Sequence, residues 1–273
     1  MLVALIDSGM GLLPTAGWLR HLRPDLDLAL LMDPDGMPWG DRGEASITRR
    51  VLAAAHRAAE AGAAAIVVPC NTATVTALDT LRGRFEPAVP VVGTVPAVKP
   101  AAAGGAPFAV WATAATTASA YQTRLIASFA QGRVVERVAC HGLAEAVDRA
   151  DADATHAAIA DAASRTPAHC AGVVLGCTHY PLVGDAIAAA LPQGVTLYDS
   201  AEAVARQTLR RLALTTLPDA RPGGLEVDLS GRAGPLPSNA LAYPLGRALA
   251  GGGPVPLDLL PAFAAPTSAP IGH

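Results

Sequence analysis

Twice in this chain an apolar run ends in a cysteine, small polar residues follow, and a helical pattern begins. The first instance is Ile66-Val67-Val68-Pro69-Cys70-Asn71-Thr72-Ala73, and the second is Val173-Val174-Leu175-Gly176-Cys177-Thr178-His179-Tyr180-Pro181. A short, fully apolar run bounded by turn residues reads as a strand buried on both faces, the kind found in parallel sheets covered by helices. One such unit lies in each half of the chain, so the halves read as two α/β domains of similar design.

The remaining pattern agrees. Strands are expected at Leu2 to Ile6, Leu28 to Met32, Val89 to Val92, Phe108 to Trp111, Val134 to Ala139 and Val195 to Tyr198, with helical periodicity between them. The clearest helix carries Ile47, Val51, Ala55 and Ala58 on one stripe, and Gly62 ends it. The last helix opens at Asp199-Ser200-Ala201-Glu202 and ends near Leu212. Alternating strands and helices imply parallel sheets, whose ligands gather beyond the carboxyl ends of the strands. Asp7, Asp33, Cys70, Thr113, Cys140 and Cys177 all fall at or just past such ends. If the two sheets face each other, those residues share one cleft.

A cysteine acts chemically as its thiolate, and an unperturbed thiol near pKa 8.5 is only slightly ionised at neutrality. A strand-to-helix junction favours the anion, because unpaired N–H groups of a helix start point at it. Cys70 and Cys177 are both expected at such junctions. A lone buried cysteine often serves as a small apolar residue, but two in matching polar contexts do not fit that explanation well. His179, two residues beyond Cys177, can take its proton. Asp7 ends the first strand of the Cys70 half and can play the matching part, or it can simply cap the helix that follows, as can Ser8. Gly9 and Gly11 let backbone come close there. Ser8, Asn71, Thr72 and Thr178 place short hydrogen-bonding groups beside the thiols, and Thr113 and Thr116 do the same from another strand end. Cys140 and Cys170 lack such neighbours and read as structural.

Composition narrows the classes further. The chain has 273 residues, 51% hydrophobic and 16% charged, enough for two packed domains. A net charge of −3 without a basic stripe argues against nucleic acid as a partner. No apolar run reaches the roughly 18 to 20 residues of a membrane span. The chain opens on a strand with no basic leader, so a cytoplasmic protein is expected. There is no Cys-x-x-Cys pair, no Walker loop and no complete dinucleotide fingerprint, so neither a metal nor a cofactor is expected.

Taken together, Asp7-Ser8-Gly9, Pro38-x-Gly40, Cys70-Asn71-Thr72-Ala73, Gly176-Cys177-Thr178-His179-Tyr180-Pro181-Leu182 and Asp199-Ser200-Ala201 resemble the glutamate racemase family, from about Leu2 to Gly246. The resemblance implies two similar parallel-sheet α/β domains with the active site between them. It assigns residues 1–97 plus 204–250 to the first domain and 98–203 to the second. The Gly-, Pro- and Ala-rich tail, 251–273, reads as disordered. The resemblance also implies cofactor-independent racemisation of glutamate, with Cys70 and Cys177 exchanging the α-proton, Asp7 assisting Cys70 and His179 assisting Cys177. Substrate binding then falls to Asp7, Ser8, Trp39, Gly40, Asn71, Thr72, Thr113, Thr116, Thr178 and His179. Asp33 and Asp148 match positions where the family carries acids near the site. Supply of D-glutamate to peptidoglycan and a homodimer are further family traits.

This sequence departs from the family pattern at four places. Leu12 stands where a glycine is usual, and Trp39 where a tyrosine is usual. No glutamate precedes Pro96, and Asp148 replaces a glutamate. Two alternatives stay open at this point: an aspartate or hydantoin racemase of the same superfamily, and a non-catalytic binding protein on a racemase scaffold.

Overall fold

A computed structural model describes residues 1–261 and 263. Among the described residues, the strands are β1 (Leu2–Asp7), β2 (Asp27–Met32), β3 (Ala65–Val68), β4 (Val91–Gly93), β5 (Phe108–Ala112), β6 (Val135–Ala139), β7 (Gly172–Leu175), β8 (Thr196–Tyr198), β9 (Leu225–Leu229) and β10 (Arg232–Ala233). They form a six-stranded sheet in the order β10-β9-β2-β1-β3-β4 and a four-stranded sheet in the order β6-β5-β7-β8. Every neighbouring pair is parallel except β9 with β10.

The inner four strands of the larger sheet run second, first, third, fourth, and the smaller sheet repeats that order. In each, the chain reverses its direction of travel across the sheet between the first and third strands. Ligand crevices open at such switch points. Asp7 and Cys70 lie beyond β1 and β3 of one sheet; Thr113 and Cys177 lie beyond β5 and β7 of the other.

The apolar runs sort by alternation once they are strands. Val3 and Leu5 of β1 pack on one side with Leu13, Leu19, Val204 and Leu209. Ala4 and Ile6 pack on the other with Ile47, Val51, Ala55 and Leu81. In β5, Ala109 and Trp111 face one core, and Phe108 and Val110 face the other. Leu12 is fully buried in the first of these cores. The helix Glu44–Glu60 buries Ile47, Val51, Ala54, Ala55 and Ala58 and gives way to Gly62 at φ +81°, a conformation that favours glycine. The helix Asn71–Phe85 buries Ala73, Ala77, Leu81 and Phe85 at four-residue spacing.

The hairpin β9–β10 was not assigned from sequence. Its short run Leu-Glu-Val-Asp-Leu sits among prolines and glycines, and it joins the sheet beside β2. Arg20, fully buried, ties this returning segment down: its guanidinium donates to the carbonyls of Pro24, Leu26, Gly223 and Gly224 at 2.7–3.0 Å. Four accepting carbonyls offset the cost of burying that cation.

The tail is ordered further than its composition suggests. Val255 and Leu260 are buried in the first core, and His21 Nδ1 lies 2.9 Å from the Val255 carbonyl. A side chain at Gly17 would collide with Leu245 and Leu260, so the tail lies directly on the helix Leu13–Leu22. Burying two aliphatic side chains outweighs the flexibility that glycine and proline lend the unfolded chain. The expectation for residue 262 and for 264–273 lies outside the described residues. Among the described residues no helix is long and apolar enough to cross a membrane.

Truncation before Pro254 removes both buried side chains. At roughly 1.5–3 kcal/mol per fully buried aliphatic side chain, it is expected to lower unfolding free energy by about 3–6 kcal/mol in urea titrations. Unchanged stability would show that the tail contributes no packing.

Candidate active site

One cavity of about 130 Å³ opens where the strand ends of the two sheets converge. That is room for on the order of ten water molecules at roughly 10–15 Å³ each. Asp7, Ser8, Trp39, Gly40, Cys70, Asn71, Thr72, Thr113, Thr116, Cys177, Thr178 and His179 all line it. Asp33 and Asp148 do not. Cys140, His141, Gly142, Ala144, Glu145 and Asp41 also contribute to its wall. Cys140, which reads as structural for want of polar neighbours in sequence, is thus part of the wall. Its place at the end of β6 was the signal available.

The two thiols have different surroundings. Cys70 is buried, has extended backbone and immediately precedes the helix Asn71–Phe85. Asp7 and the Ala73 N–H are the polar neighbours that act on its sulfur. Burial pushes the Cys70 pKa well up, and the Asp7 charge adds to the rise. Asp7 is fully buried. Burial raises it to about 6, against the opposing pull of the His179 charge and of hydrogen bonds from Cys70 and the Ser8 N–H. Cys70 therefore rests as a thiol beside a carboxyl group that titrates near neutrality.

Cys177 is half-buried and does not stand at the start of an α-helix. A 3-10 turn, Tyr180–Val183, intervenes before the helix Gly184–Ala190. The helix-start argument thus holds for Cys70 and fails for Cys177, because Pro181 sits in the first turn and the chain tightens there. His179 takes over that function. Its Nδ1 lies 3.8 Å from the Cys177 sulfur and its Nε2 lies 3.2 Å from Asp148 Oδ1. Burial pulls the imidazole down, but the bonds to Asp148 and Cys177 outweigh it and hold His179 well above its ordinary pKa. Against the upward push of burial, His179 and the Met10 N–H keep Asp148 below the usual carboxylate value.

Neither Asp7 nor Ser8 caps the short turn Met10–Leu12. Asp148, reaching from the other half of the chain, accepts the Met10 N–H at 2.9 Å. The loop can come this close only because it carries glycines. A Cβ at Gly9 would strike the Asp148 carboxylate. One at Gly11 would strike Asp7 and Thr178 and stand 2.8 Å from His179 Nδ1. These glycines admit the protein's own charged groups.

The remaining polar groups are held in place. Asn71 Nδ2 donates to the Gly176 carbonyl at 2.9 Å across the cleft, while its buried Oδ1 has no protein partner among the described residues. Thr113 caps the short helix Ala114–Ala118 and bonds Thr116 at 3.0 Å. Trp39 is almost fully buried. Its Nε1–H donates to Asp33 Oδ2 at 2.8 Å, and Arg50 and Ser230 hold the same carboxylate. Asp33 thus fixes the wall of the cavity from behind.

The Asp/Glu/hydantoin racemase family model matches residues 24–208. The chain is 39% identical over 220 residues to the glutamate racemase of Escherichia coli, covering 76% of this chain and 74% of that one. It is 37% identical over 236 residues to the glutamate racemase of Herpetosiphon aurantiacus, covering 84% and 92%. The crystal structure of Escherichia coli glutamate racemase in complex with L-glutamate and the activator UDP-MurNAc-Ala is similar with a TM-score of 0.73 at 35% identity, over 79% of this chain and 84% of that one.

The Asp7 environment has a measurable sign. Its rise from 3.8 to about 6 means the folded state holds that proton more tightly. Its penalty is absent below pH 3.8 and complete above about pH 6, amounting to about 3 kcal/mol at about 1.4 kcal/mol per unit. Asp7→Asn should therefore gain about that much on the parent between pH 4 and pH 7 in urea unfolding. A pH-independent difference would contradict it. Gly11→Ala should destabilise by about 1–3 kcal/mol, as overpacking does, and differential scanning calorimetry would detect it.

Proposed function

This chain belongs to the Asp/Glu/hydantoin racemase family, and from that premise we propose that it interconverts L- and D-glutamate by passing the α-proton between Cys70 and Cys177. The observation that carries the reading is the pair of thiols from two sheets lining one small cavity, each with its own proton partner: Asp7 for Cys70 and His179 for Cys177.

The α-hydrogen of an amino acid is a very weak acid, and racemisation needs a proton removed on one face and another delivered on the opposite face. Two fixed groups achieve this without moving a base around the carbon, and holding both against it lowers the barrier by proximity. In one direction the Cys70 proton passes to the Asp7 carboxylate. The Cys70 thiolate then takes the α-proton while the Cys177 thiol, with His179 beside it, protonates the other face. In the other direction Cys177, ionised by proton transfer to His179, is the acceptor and Cys70 the donor. Asp7, raised to about 6, titrates close to the working pH, as suits a general base.

No lysine or arginine lines the cavity among the described residues. The substrate carboxylates are met by neutral donors: the hydroxyls of Ser8, Thr72, Thr113, Thr116 and Thr178, and N–H groups at the start of the helix Asn71–Phe85. Trp39 closes one wall. The same reading divides the chain into a first domain of 1–97 plus 204–250 and a second of 98–203, with the site between them. It places the reaction in the cytoplasm, with D-glutamate supplied to peptidoglycan.

Circular dichroism of L- and D-glutamate, with L-aspartate and a hydantoin in parallel and no added cofactor, tests the assignment. Glutamate should lose its signal fastest, and preference for either alternative would overturn the substrate. Cys70→Ala and Cys177→Ala should each cut turnover on the order of 10²–10⁴-fold. Parental rates in both would end the two-thiol reading. The acid limb of kcat/KM should fall near pH 6, where Asp7 titrates, and Asp7→Asn should abolish that limb.

A further inference from the structure

The helix Leu143–Asp148 ends with its last carbonyls pointing away from its own hydrogen-bond ladder, as every helix end must. Ala150, at φ +52°, turns the chain off, and its N–H returns to the Val147 carbonyl at 3.0 Å. The N–H groups of Arg149 and Asp151 close in the same local way on the carbonyls of Glu145 and Ala146, while the side-chain bonds to the last two carbonyls come from a distant part of the sequence. The Tyr243 hydroxyl donates to the Val147 carbonyl at 2.7 Å, and Asn239 Nδ2 donates to the Asp148 carbonyl at 2.5 Å. Both donors belong to the C-terminal segment that holds the helices Ser238–Leu241 and Pro244–Ala250 and packs on the first core. The Tyr243 ring touches the cores of both halves.

Asp148 is the residue so held at its backbone. Its side chain divides between the Met10 N–H of the first half and His179 Nε2, and His179 in turn faces the Cys177 sulfur. A shift of a few tenths of an ångström in the end of that helix changes the Asp148–His179 bond directly. No other side chain hydrogen-bonds these two carbonyls among the described residues.

We propose that Asn239 and Tyr243 are positioning residues for the Cys177 half of the reaction: they fix the end of the helix Leu143–Asp148, and through Asp148 and His179 they set the proton affinity of Cys177. The proposal rests on the reading of Cys177 as a proton-transfer group, but it speaks of residues that line no part of the cavity.

The test uses the full-length protein and two variants, Tyr243→Phe, which keeps the ring, and Asn239→Ala. Two quantities are measured: the rate at which Cys177 is alkylated by iodoacetamide across pH 6–9, read by peptide mass spectrometry, and racemase turnover. Cys177 is the half-buried thiol of the four, so it reacts first. Loss of one hydrogen bond should slow its alkylation at pH 7 roughly fivefold and move the profile to higher pH, with kcat reduced by a similar factor and KM little changed. Melting temperature monitors folding, and a combined loss no larger than either single loss is expected if both act through one helix end. Parental alkylation profiles in both variants would overturn the proposal whatever the turnover. A shifted profile with parental turnover would overturn the claim that they serve the Cys177 half of the reaction.

Discussion

A carboxyl group with no access to water must be neutral or paired, and the arrangement around this cavity follows from that constraint. Five titratable groups, Asp7, Cys70, Cys177, His179 and Asp148, meet where two sheets present their strand ends. Removed from water, none can carry charge cheaply alone. They are arranged as two units: Asp7 with Cys70, a carboxyl group raised to about 6 beside a thiol held well above its ordinary pKa, and Asp148–His179–Cys177, in which the imidazole is held well above its ordinary pKa. The charges within each unit offset much of the desolvation, and the small separation between units leaves each sensitive to the other.

The fold supplies the placement through repetition. Because both sheets use the order second, first, third, fourth, equivalent strand ends occur twice, and the cysteine after the third strand recurs. The repeat is imperfect where chemistry needs a difference. Cys70 has a helix start and a carboxyl group; Cys177 has a proline-tightened turn and an imidazole. The two thiols therefore have different partners.

Much of this was legible in the sequence. Apolar runs ending in Asp7, Cys70, Thr113 and Cys177 specify parallel strands, and parallel strands place their carboxyl-end residues on one rim. Local pattern could not show what comes from far away in the chain. The bond from Asp148 to Met10 spans 138 residues, and Asp33 is held by Ser230 from a hairpin too short and too interrupted by proline and glycine to register as strands. Cys140 looked inert because the groups that give it a place in the cavity wall come from other strand ends. The tail past Gly251 looked unstructured because its composition is poor in packing residues, and two well-placed ones, Val255 and Leu260, sufficed to seat it.

The central claim is that two thiols flank one substrate carbon from opposite sides. Initial-rate racemisation in deuterated water tests it most directly, by mass spectrometry of separated enantiomers starting from each in turn. Two opposed groups predict product carrying solvent deuterium at the α-carbon while recovered substrate stays largely protiated, in both directions. Product that retains the substrate's own hydrogen would mean that a single group serves both faces, and would contradict the account.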